Sequence, residues 1–213
     1  VLLFTEYKAT QSLVMSELIK RRGDACVSFI NGDGRAEEVN DSSNIASTRH
    51  ERREKAAEKF NSGEIDYLVS TEAGGEGIDL QERCHVLFHV DLPWNPMRLH
   101  QRVGRLNRYG QSKKVEVVGM RNPQTVEARI WAKLEEKLDS ITTAFGHVME
   151  DPEDLKQLVI GMSSQSMFRE LFAGPESQDE ESLSTWFDEK TASFGGRDVI
   201  DTVKELTGNA SKF

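Results

Sequence analysis

The sequence of 213 residues contains only two cysteines, and it lacks a long apolar run. Cys26 and Cys84 are isolated in strand-like runs, so we expect reduced thiols in an intracellular protein rather than a disulfide. The five histidines do not have the spacing of metal ligands, and we therefore predict no metal site. No segment is long and apolar enough to span a bilayer, and we find no signal peptide. We therefore expect a cytoplasmic protein that has no membrane partner.

The charge of the chain is unevenly distributed. A formal net charge of −9 argues at first sight against a nucleic-acid partner. Residues 146–190, however, hold eleven acidic and three basic residues, whereas the rest of the chain holds 25 acidic and 24 basic residues. The body of the chain is thus nearly neutral and its basic residues are clustered, so a nucleic-acid partner is permitted.

The strongest basic cluster lies in residues 98–114, where six basic residues occur without an acidic one. Asn95 and Pro96 are typical of the start of a helix. Arg105 and Arg108 are spaced to share one face of the helix that would follow. Because guanidinium groups are permanently charged and offer a fixed set of donors, this pair predicts the binding of an anion such as a phosphate chain.

Apolar runs alternate with helical periodicities over residues 1–145, which predicts an α/β fold with a parallel sheet. The predicted strands are Val1–Thr5, Ala25–Ile30, Asp66–Ser70, His85–Val90 and Lys113–Met120. The predicted helices are Lys8–Arg22, a helix capped by Ser47 or Thr48, the helix that starts at Pro96, and Thr125–Ala144. Residues 31–46 are rich in Gly, Asn, Asp and Ser and predict a loop. Short helical segments and acidic residues predict a helical acidic extension over residues 146–213.

Five blocks of the sequence resemble, in the correct order, the second motor lobe of superfamily 2 helicases, and most closely that of Swi/Snf-type DNA translocases and their bacterial relatives. The blocks are VLLFTEY at Val1–Tyr7 (motif IV), Ser47–Asn61, YLVSTEAGGEGIDLQ at Tyr67–Gln81 (motif V), QRVGRLNRYGQ at Gln101–Gln111 with WNP upstream (motif VI), and Thr125–Glu127. The resemblance implies a RecA-like parallel sheet flanked by helices over residues 1–145, in a protein of prokaryotic type.

The resemblance also implies roles for individual residues. Arg105 and Arg108 would be catalytic, and Arg108 would be the arginine finger that reaches the phosphates of ATP. The residues implied in nucleotide binding are Gly75, Gly77, Asp79 and Gln101. The residues implied in contacts with the nucleic-acid backbone are Thr5, Arg53, Ser70 and Thr71. For Arg53, a solvated helix surface of alternating charge is an equally good interpretation.

Several parts of a complete motor are missing from the sequence. It has neither the Walker A lysine nor the Asp-Glu magnesium motif, so the ligands of the Mg²⁺ that accompanies ATP are expected on a first lobe. The chain opens with Val1 inside an apolar run and without a methionine, so we expect a fragment of a longer polypeptide. Such a fragment should hydrolyse no ATP by itself.

Three interpretations of the function follow from the sequence. The resemblance favours a motor lobe that tracks double-stranded DNA together with a first lobe. The alternative is a degenerate helicase-like lobe that binds nucleic acid or protein and never cycles. In the third interpretation the acidic extension recruits a protein partner.

Overall fold

The computed structural model describes residues 1–72, 77–93, 95–120, 122, 124–145, 165–173 and 180–192. The chain divides into two compact units. The first comprises Val1–Pro93 and Arg98–Arg121, and the second comprises Trp94–Met97 and Asn122–Phe213. The predicted boundary between residues 145 and 146 stays a prediction.

A five-stranded parallel sheet forms the centre of the first unit. Its strands are β1 (Leu2–Thr5), β2 (Val27–Ile30), β5 (Tyr67–Thr71), β6 (Val86–His89) and β7 (Glu116–Gly119). They lie in the order β2-β5-β1-β6-β7. Thr5 pairs with Thr71, and Phe4 pairs with His89. Because the strands are parallel, the residues that follow β1, β5 and β6 meet at one edge, which we call the carboxyl edge.

Side chains of the strands alternate between the two faces of this sheet, and each face buries its own apolar cluster. On one face, Leu2 and Leu68 pack in the cluster that contains Phe60 of helix α2 (Arg53–Ser62). On the other face, Val69 packs in the cluster that contains Met15 of helix α1 (Lys8–Arg22). The first helix ends where the sequence predicts, at Gly23, whose φ of +93° suits a glycine. The predicted RecA-like α/β sheet flanked by helices is confirmed.

The prediction of a loop over residues 31–46 is wrong, because part of this segment forms an antiparallel hairpin. Its strands are β3 (Arg35–Asn40) and β4 (Ala46–His50). Asp41 holds the turn, since its Oδ1 accepts the N–H groups of Ser43 at 2.8 Å and Ile45 at 2.9 Å. Ala36 and Val39 are both buried against α1 although they are three residues apart in the sequence, because a bulge between them shifts the register of the strand. That spacing conceals the strand, because strand prediction looks for a period of two.

The predicted cap of the second helix is also wrong. Ser47 and Thr48 lie in β4, and α2 begins after Arg52, which makes no capping hydrogen bond through its side chain. The two residues that were predicted to cap the helix instead belong to the second strand of the hairpin.

Helix α3 (Pro96–Val103) starts at the predicted residue but ends early. The chain turns at Gly104, so Arg105 and Arg108 do not share a helix face, and this part of the prediction is wrong. Glycine is a poor helix former, which accounts for the end of the helix at this point.

The described part of the second unit contains three helices: α4 (Val126–Phe145), α5 (Gln165–Phe172) and α6 (Glu180–Lys190). The helix predicted at Thr125–Ala144 is therefore confirmed. The rings of Trp131 and Phe172 pack with their centroids 5.4 Å apart. Residues 146–164, 174–179 and 193–213 of the predicted helical acidic extension lie outside the described residues. In the part of the chain that is described, no helix is both long and apolar enough to cross a membrane.

Candidate nucleotide and nucleic-acid site

An acidic residue follows each of the three central strands at the carboxyl edge. Glu6 comes after β1, Glu72 after β5, and Asp91 two residues beyond the end of β6. Arg98 of α3 bridges the first two, since its Nη1 lies 2.8 Å from Glu6 Oε1 and 2.8 Å from Glu72 Oε2. The sheet therefore presents carboxylates to the arginine-rich helix.

Arg102, one turn further along α3, is almost completely buried, with 2% of its side chain exposed. Its Nη2 lies 3.0 Å from Glu72 Oε1 and 3.3 Å from Asp91 Oδ1. Its Nη1 donates to the carbonyl oxygen of Asp91 at 2.9 Å, and the guanidinium lies over the ring of Phe4 at 5.6 Å. Burial of a guanidinium is costly unless it is paired and hydrogen-bonded, and here both conditions are met.

Asp91 connects this arginine to the end of β1. Its carboxylate accepts the hydroxyl of Thr5 at 2.5 Å and the backbone N–H of Glu6 at 2.9 and 3.0 Å. Three of the six basic residues in 98–114, Arg98, Arg102 and Arg108, pair with acids that are distant in sequence. The sequence analysis missed Asp91, Glu72 and Arg102, because only the parallel register brings the three strand ends together.

His89 lies beside this arginine and is buried at the end of β6. Burial, followed by the nearby guanidinium of Arg102, lowers the pKa of His89 to about 4, although Asp91 acts in the opposite direction. The imidazole is therefore neutral near pH 7. Its Nδ1 lies 3.5 Å from Nη1 of Arg102.

The turn that follows α3 carries the two arginines predicted to be catalytic. Arg108 pairs with Asp79, with Nη1 at 2.5 Å from Oδ1, and the two side chains are 38% and 69% exposed. Arg105 is half-buried, and within the described ranges it makes no ion pair. The structure thus brings Arg108 together with Asp79, a residue predicted to bind nucleotide.

Two anchors hold this turn in place. Leu106 is fully buried in the core beneath the sheet. Gln111 donates its Nε2 to the carbonyl oxygens of Gln81 at 3.1 Å and Cys84 at 2.8 Å. Arg108 therefore lies between two fixed points and Arg105 directly precedes the first of them, although the helix that leads to them has ended. The sequence analysis assigned no role to Gln111, and only its place in the Arg-Tyr-Gly-Gln ending marked it.

For the other residues predicted to bind nucleotide, the structure gives only their local conformation or exposure. Gly77 has a φ of +72°, a conformation that suits glycine, and a Cβ at this position would meet no atom within 4 Å. Gln101 is exposed on α3. Gly75 lies outside the described residues.

The residues predicted to contact nucleic acid lie in two environments. Thr5, Ser70 and Thr71 are buried at the ends of β1 and β5, where the hydroxyl of Ser70 donates to the carbonyl oxygen of Thr71 at 3.0 Å. Arg53 is exposed at the start of α2 and pairs with Glu54 at 2.7 Å. Both roles stay predictions. Across the described residues, no group of three or more His, Cys, Asp or Glu side chains could hold a metal ion.

Comparison with known proteins identifies the family. Residues 1–110 match the model described as "Helicase conserved C-terminal domain". The chain is 36% identical over 148 residues to "Uncharacterized ATP-dependent helicase YqhH" of Bacillus subtilis, which covers 70% of this chain and 23% of that protein. It is 40% identical over 108 residues to the human "SWI/SNF-related matrix-associated actin-dependent regulator of chromatin subfamily A member 1", which covers 48% of this chain and 10% of that protein.

A third relative covers more of the chain at lower identity. The mouse "DNA repair and recombination protein RAD54B" is 28% identical over 167 residues, which is 74% of this chain and 17% of that protein. The chain thus spans less than a quarter of the length of each of these three relatives. The family match covers more than half of the chain and includes motifs IV to VI, so the chain belongs to the helicase conserved C-terminal domain family, as a Swi/Snf-type lobe of superfamily 2.

Proposed function

We propose that this chain is the second motor lobe of an ATP-dependent translocase that moves along double-stranded DNA. The observation that carries the proposal is the turn after α3, which is anchored by Leu106 and Gln111 and carries Arg108 in an exposed ion pair with Asp79. A guanidinium on an anchored turn can stabilise the charge that develops on a transferred phosphoryl group. Arg108 is the arginine finger in this proposal, and Gln101 helps to orient the site.

The environment of Arg108 fits a residue that exchanges one anion for another. Its partner Asp79 is a carboxylate that is mostly exposed. An exposed ion pair contributes only about 0–1 kcal/mol. An arginine finger, by contrast, accelerates phosphoryl transfer by roughly 10³–10⁵-fold, which corresponds to about 4–7 kcal/mol. Arg108 can therefore leave Asp79 for a phosphate at small cost, and Asp79 is then free to face the ribose.

A first lobe in the same polypeptide is the partner required by this proposal. ATP lies between the two lobes and supplies the phosphoryl group whose transfer to water drives the cycle. The donors proposed to face ATP are the guanidinium groups of Arg105 and Arg108 and the amide of Gln101, which suit phosphate oxygens. We place the ligands of Mg²⁺ on the first lobe, in line with the absence of the Asp-Glu magnesium motif from this sequence.

Contacts with DNA lie at the ends of β1 and β5 in this proposal. Thr5, Ser70 and Thr71 are buried, and the hydroxyls of Thr5 and Ser70 donate to Asp91 and to the carbonyl oxygen of Thr71, so the proposal requires these strand ends to become accessible when the full-length protein binds DNA. Hydroxyl and backbone N–H groups can then position a phosphate backbone without reading its sequence. Arg53 adds a charge on the neighbouring helix. The names of two relatives, a chromatin regulator and a DNA repair and recombination protein, support double-stranded DNA as the track. We propose that closure of the lobes on ATP shifts these contacts along the DNA.

The test is DNA-stimulated ATP hydrolysis by the full-length protein. We expect Arg108→Ala to lower turnover by about 10³-fold or more, as the loss of an arginine finger does. Arg21→Ala is the matched control, because Arg21 is also an exposed arginine in an ion pair, at 3.4 Å from Glu17 on α1. We expect the control to keep the turnover of the wild type. Hydrolysis that is absent, or indifferent to Arg108, would instead favour a degenerate lobe that only binds nucleic acid or protein.

A further inference from the structure

A network of five ion-paired residues lies at the carboxyl edge. It joins the strand ends to helix α3, a connection that the family match alone does not give. Its members are Glu6, Glu72, Asp91, Arg98 and Arg102. Each of the two arginines contacts two carboxylates, and Glu72 contacts both arginines. We call this group the edge network.

Arg102 is the buried centre of the edge network, and its position excludes a direct role in binding phosphate. Its side chain is 2% exposed, so it is shielded from any ligand in the cleft. Buried ion pairs also tend to stabilise a fold no better than apolar side chains of the same volume, because desolvation offsets their attraction. Stability is therefore a weak explanation for a guanidinium at this position, and a positional role explains it better.

On one side, the edge network reaches the strand ends that we propose to contact DNA. The carboxylate of Asp91 binds Arg102 and also accepts the hydroxyl of Thr5. Glu72 directly follows Thr71, so its contact with Arg102 fixes the end of β5. A displacement of either strand end would therefore change the contacts of one guanidinium.

On the other side, Arg102 begins the turn that carries the proposed arginine finger. The carbonyl oxygen of Arg102 accepts the N–H of Arg105 at 3.1 Å, and the carbonyl oxygen of Val103 accepts the N–H of Leu106 at 2.9 Å. The carbonyl oxygen of Leu106 in turn accepts the N–H of Arg108 at 3.1 Å. The path from Thr5 through Asp91, Arg102 and this turn to Arg108 is thus a continuous series of bonded or hydrogen-bonded groups. Continuous packed and hydrogen-bonded groups of this kind can carry coupling between two sites, but measured coupling is needed to establish it.

We propose that Arg102 is a positioning residue that couples contact with DNA to placement of the arginine finger. This proposal rests on the proposed function of the lobe. Arg102 touches neither DNA nor ATP, and it acts through Glu72 and Asp91. When the network is intact, DNA at the strand ends sets the turn in the position that supports hydrolysis. When the network is weakened, the two sites still work but respond less to each other.

The test uses the full-length protein and the variant Glu72→Gln. This change keeps the shape of the side chain but removes the charge that faces Arg98 and Arg102, and it leaves Asp91 to neutralise the buried guanidinium. We expect the ratio of DNA-stimulated to DNA-free turnover to fall by about tenfold, within the usual range of coupling between sites. We expect DNA-free turnover, the KM for ATP without DNA and the Kd for duplex DNA without nucleotide to change less than threefold, because each is measured with only one of the two ligands present and coupling does not enter.

Two further variants separate positioning from folding. Glu51→Gln is the matched control, because Glu51 is a partly buried carboxylate in one ion pair, at 2.6 Å from Lys59, and lies outside the edge network. We expect it to keep the ratio of the wild type, even if its Tm falls as much as that of Glu72→Gln. Arg102→Lys retains one charge but not the donor fork, so we expect a ratio between those of the wild type and Glu72→Gln.

Each outcome bears on a defined claim. Suppose that DNA stimulates the wild type and that Glu72→Gln keeps the same ratio of DNA-stimulated to DNA-free turnover. This result would overturn the coupling role and leave the proposed function intact. A parallel fall of DNA-free turnover, DNA affinity and Tm in Glu72→Gln would also overturn it, since that pattern indicates a merely structural residue. A wild type that DNA does not stimulate would overturn the proposed function and the coupling role together.

Discussion

At the scale of single residues, two arginines of the same motif have opposite environments. Arg102 is 2% exposed and is surrounded by Glu72, Asp91 and the ring of Phe4. Arg108 is 38% exposed and has one exposed partner. Only the exposed arginine can exchange its carboxylate for a phosphate without leaving a buried charge unpaired. Burial thus separates the proposed positioning residue from the proposed arginine finger.

His89 provides a prediction of pH dependence. Burial and the neighbouring Arg102 lower its pKa to about 4, whereas an unfolded chain has a histidine pKa near 6.5. The unfolded state therefore binds the proton first as the pH falls. The contribution of neutral His89 to the stability of the fold is fully present above pH 6.5 and is lost as the pH falls towards about 4. The free energy of unfolding falls by roughly 3 kcal/mol over this range. Urea denaturation between pH 4.5 and 7.5 measures this loss.

A neutral replacement of His89 checks the assignment. We expect His89→Gln to unfold with a flatter pH dependence than the wild type over this range, because glutamine does not titrate. The control His50→Gln replaces an exposed histidine of β4 and should keep the slope of the wild type. Equal slopes for all three proteins would show that His89 is not the responsible group.

At the scale of secondary-structure elements, the hairpin β3–β4 packs on α1 through Ala36 and Val39, of which Val39 is the larger side chain. Val39 is fully buried in the cluster that contains Met15 of α1, whereas Ile45, at the other end of the turn, is 63% exposed. We expect Val39→Ala to lower the free energy of unfolding by about 2 kcal/mol, from lost burial and the cavity that remains.

Ile45→Ala is the matched control for this hairpin. It removes more apolar atoms than Val39→Ala, but we expect it to cost less than about 0.5 kcal/mol because the side chain is exposed. Thermal unfolding of both variants distinguishes the two effects. A larger loss in Ile45→Ala would contradict the arrangement in which β3 packs on α1.

The elements differ in how far they could be predicted from the sequence. The central strands are continuous apolar runs bounded by turn residues, and α1 ends at a glycine, so local patterns were sufficient there. The hairpin was missed because its bulge breaks the period of two. The helix after Pro96 was predicted to continue through Arg108, because the pattern of arginines concealed the break at Gly104.

Prediction from local sequence also fails in the candidate site, where the contacts join residues that are distant along the chain. Motif resemblance predicts catalytic roles for Arg105 and Arg108 from local sequence alone. The partners of Arg102 could not be found in this way, because Glu72 and Asp91 lie 30 and 11 residues away along the chain. Their proximity follows from the parallel register of β1, β5 and β6, which is a property of the sheet rather than of any one segment.

At the scale of the whole molecule, the chain contains one side of the proposed ATP site. It spans less than a quarter of the three relatives compared above, and its sequence has no Walker A lysine. We therefore expect the isolated chain of 213 residues to bind ATP weakly and to release no phosphate above background, with or without DNA. A phosphate-release assay checks this expectation. A rate comparable with that of an intact motor would contradict the assignment as a second lobe.

The acidic extension is the other feature of the whole molecule. Residues 146–190 carry most of the net negative charge of the chain, and the described part of this region includes helices α5 and α6. A role in recruiting a protein partner stays a prediction. Deletion of residues 146–213 from the full-length protein would separate such a role from motor activity.

Movement along duplex DNA is the central claim, and ATP-dependent displacement of a third strand from a DNA triplex measures it most directly. This assay reports translocation on an intact duplex, so it needs no strand separation. We predict that the full-length wild type displaces the third strand when ATP is present, and that Arg108→Ala binds the same DNA but leaves the triplex in place. A wild type that binds the duplex and hydrolyses ATP, yet never displaces the third strand, would contradict the account.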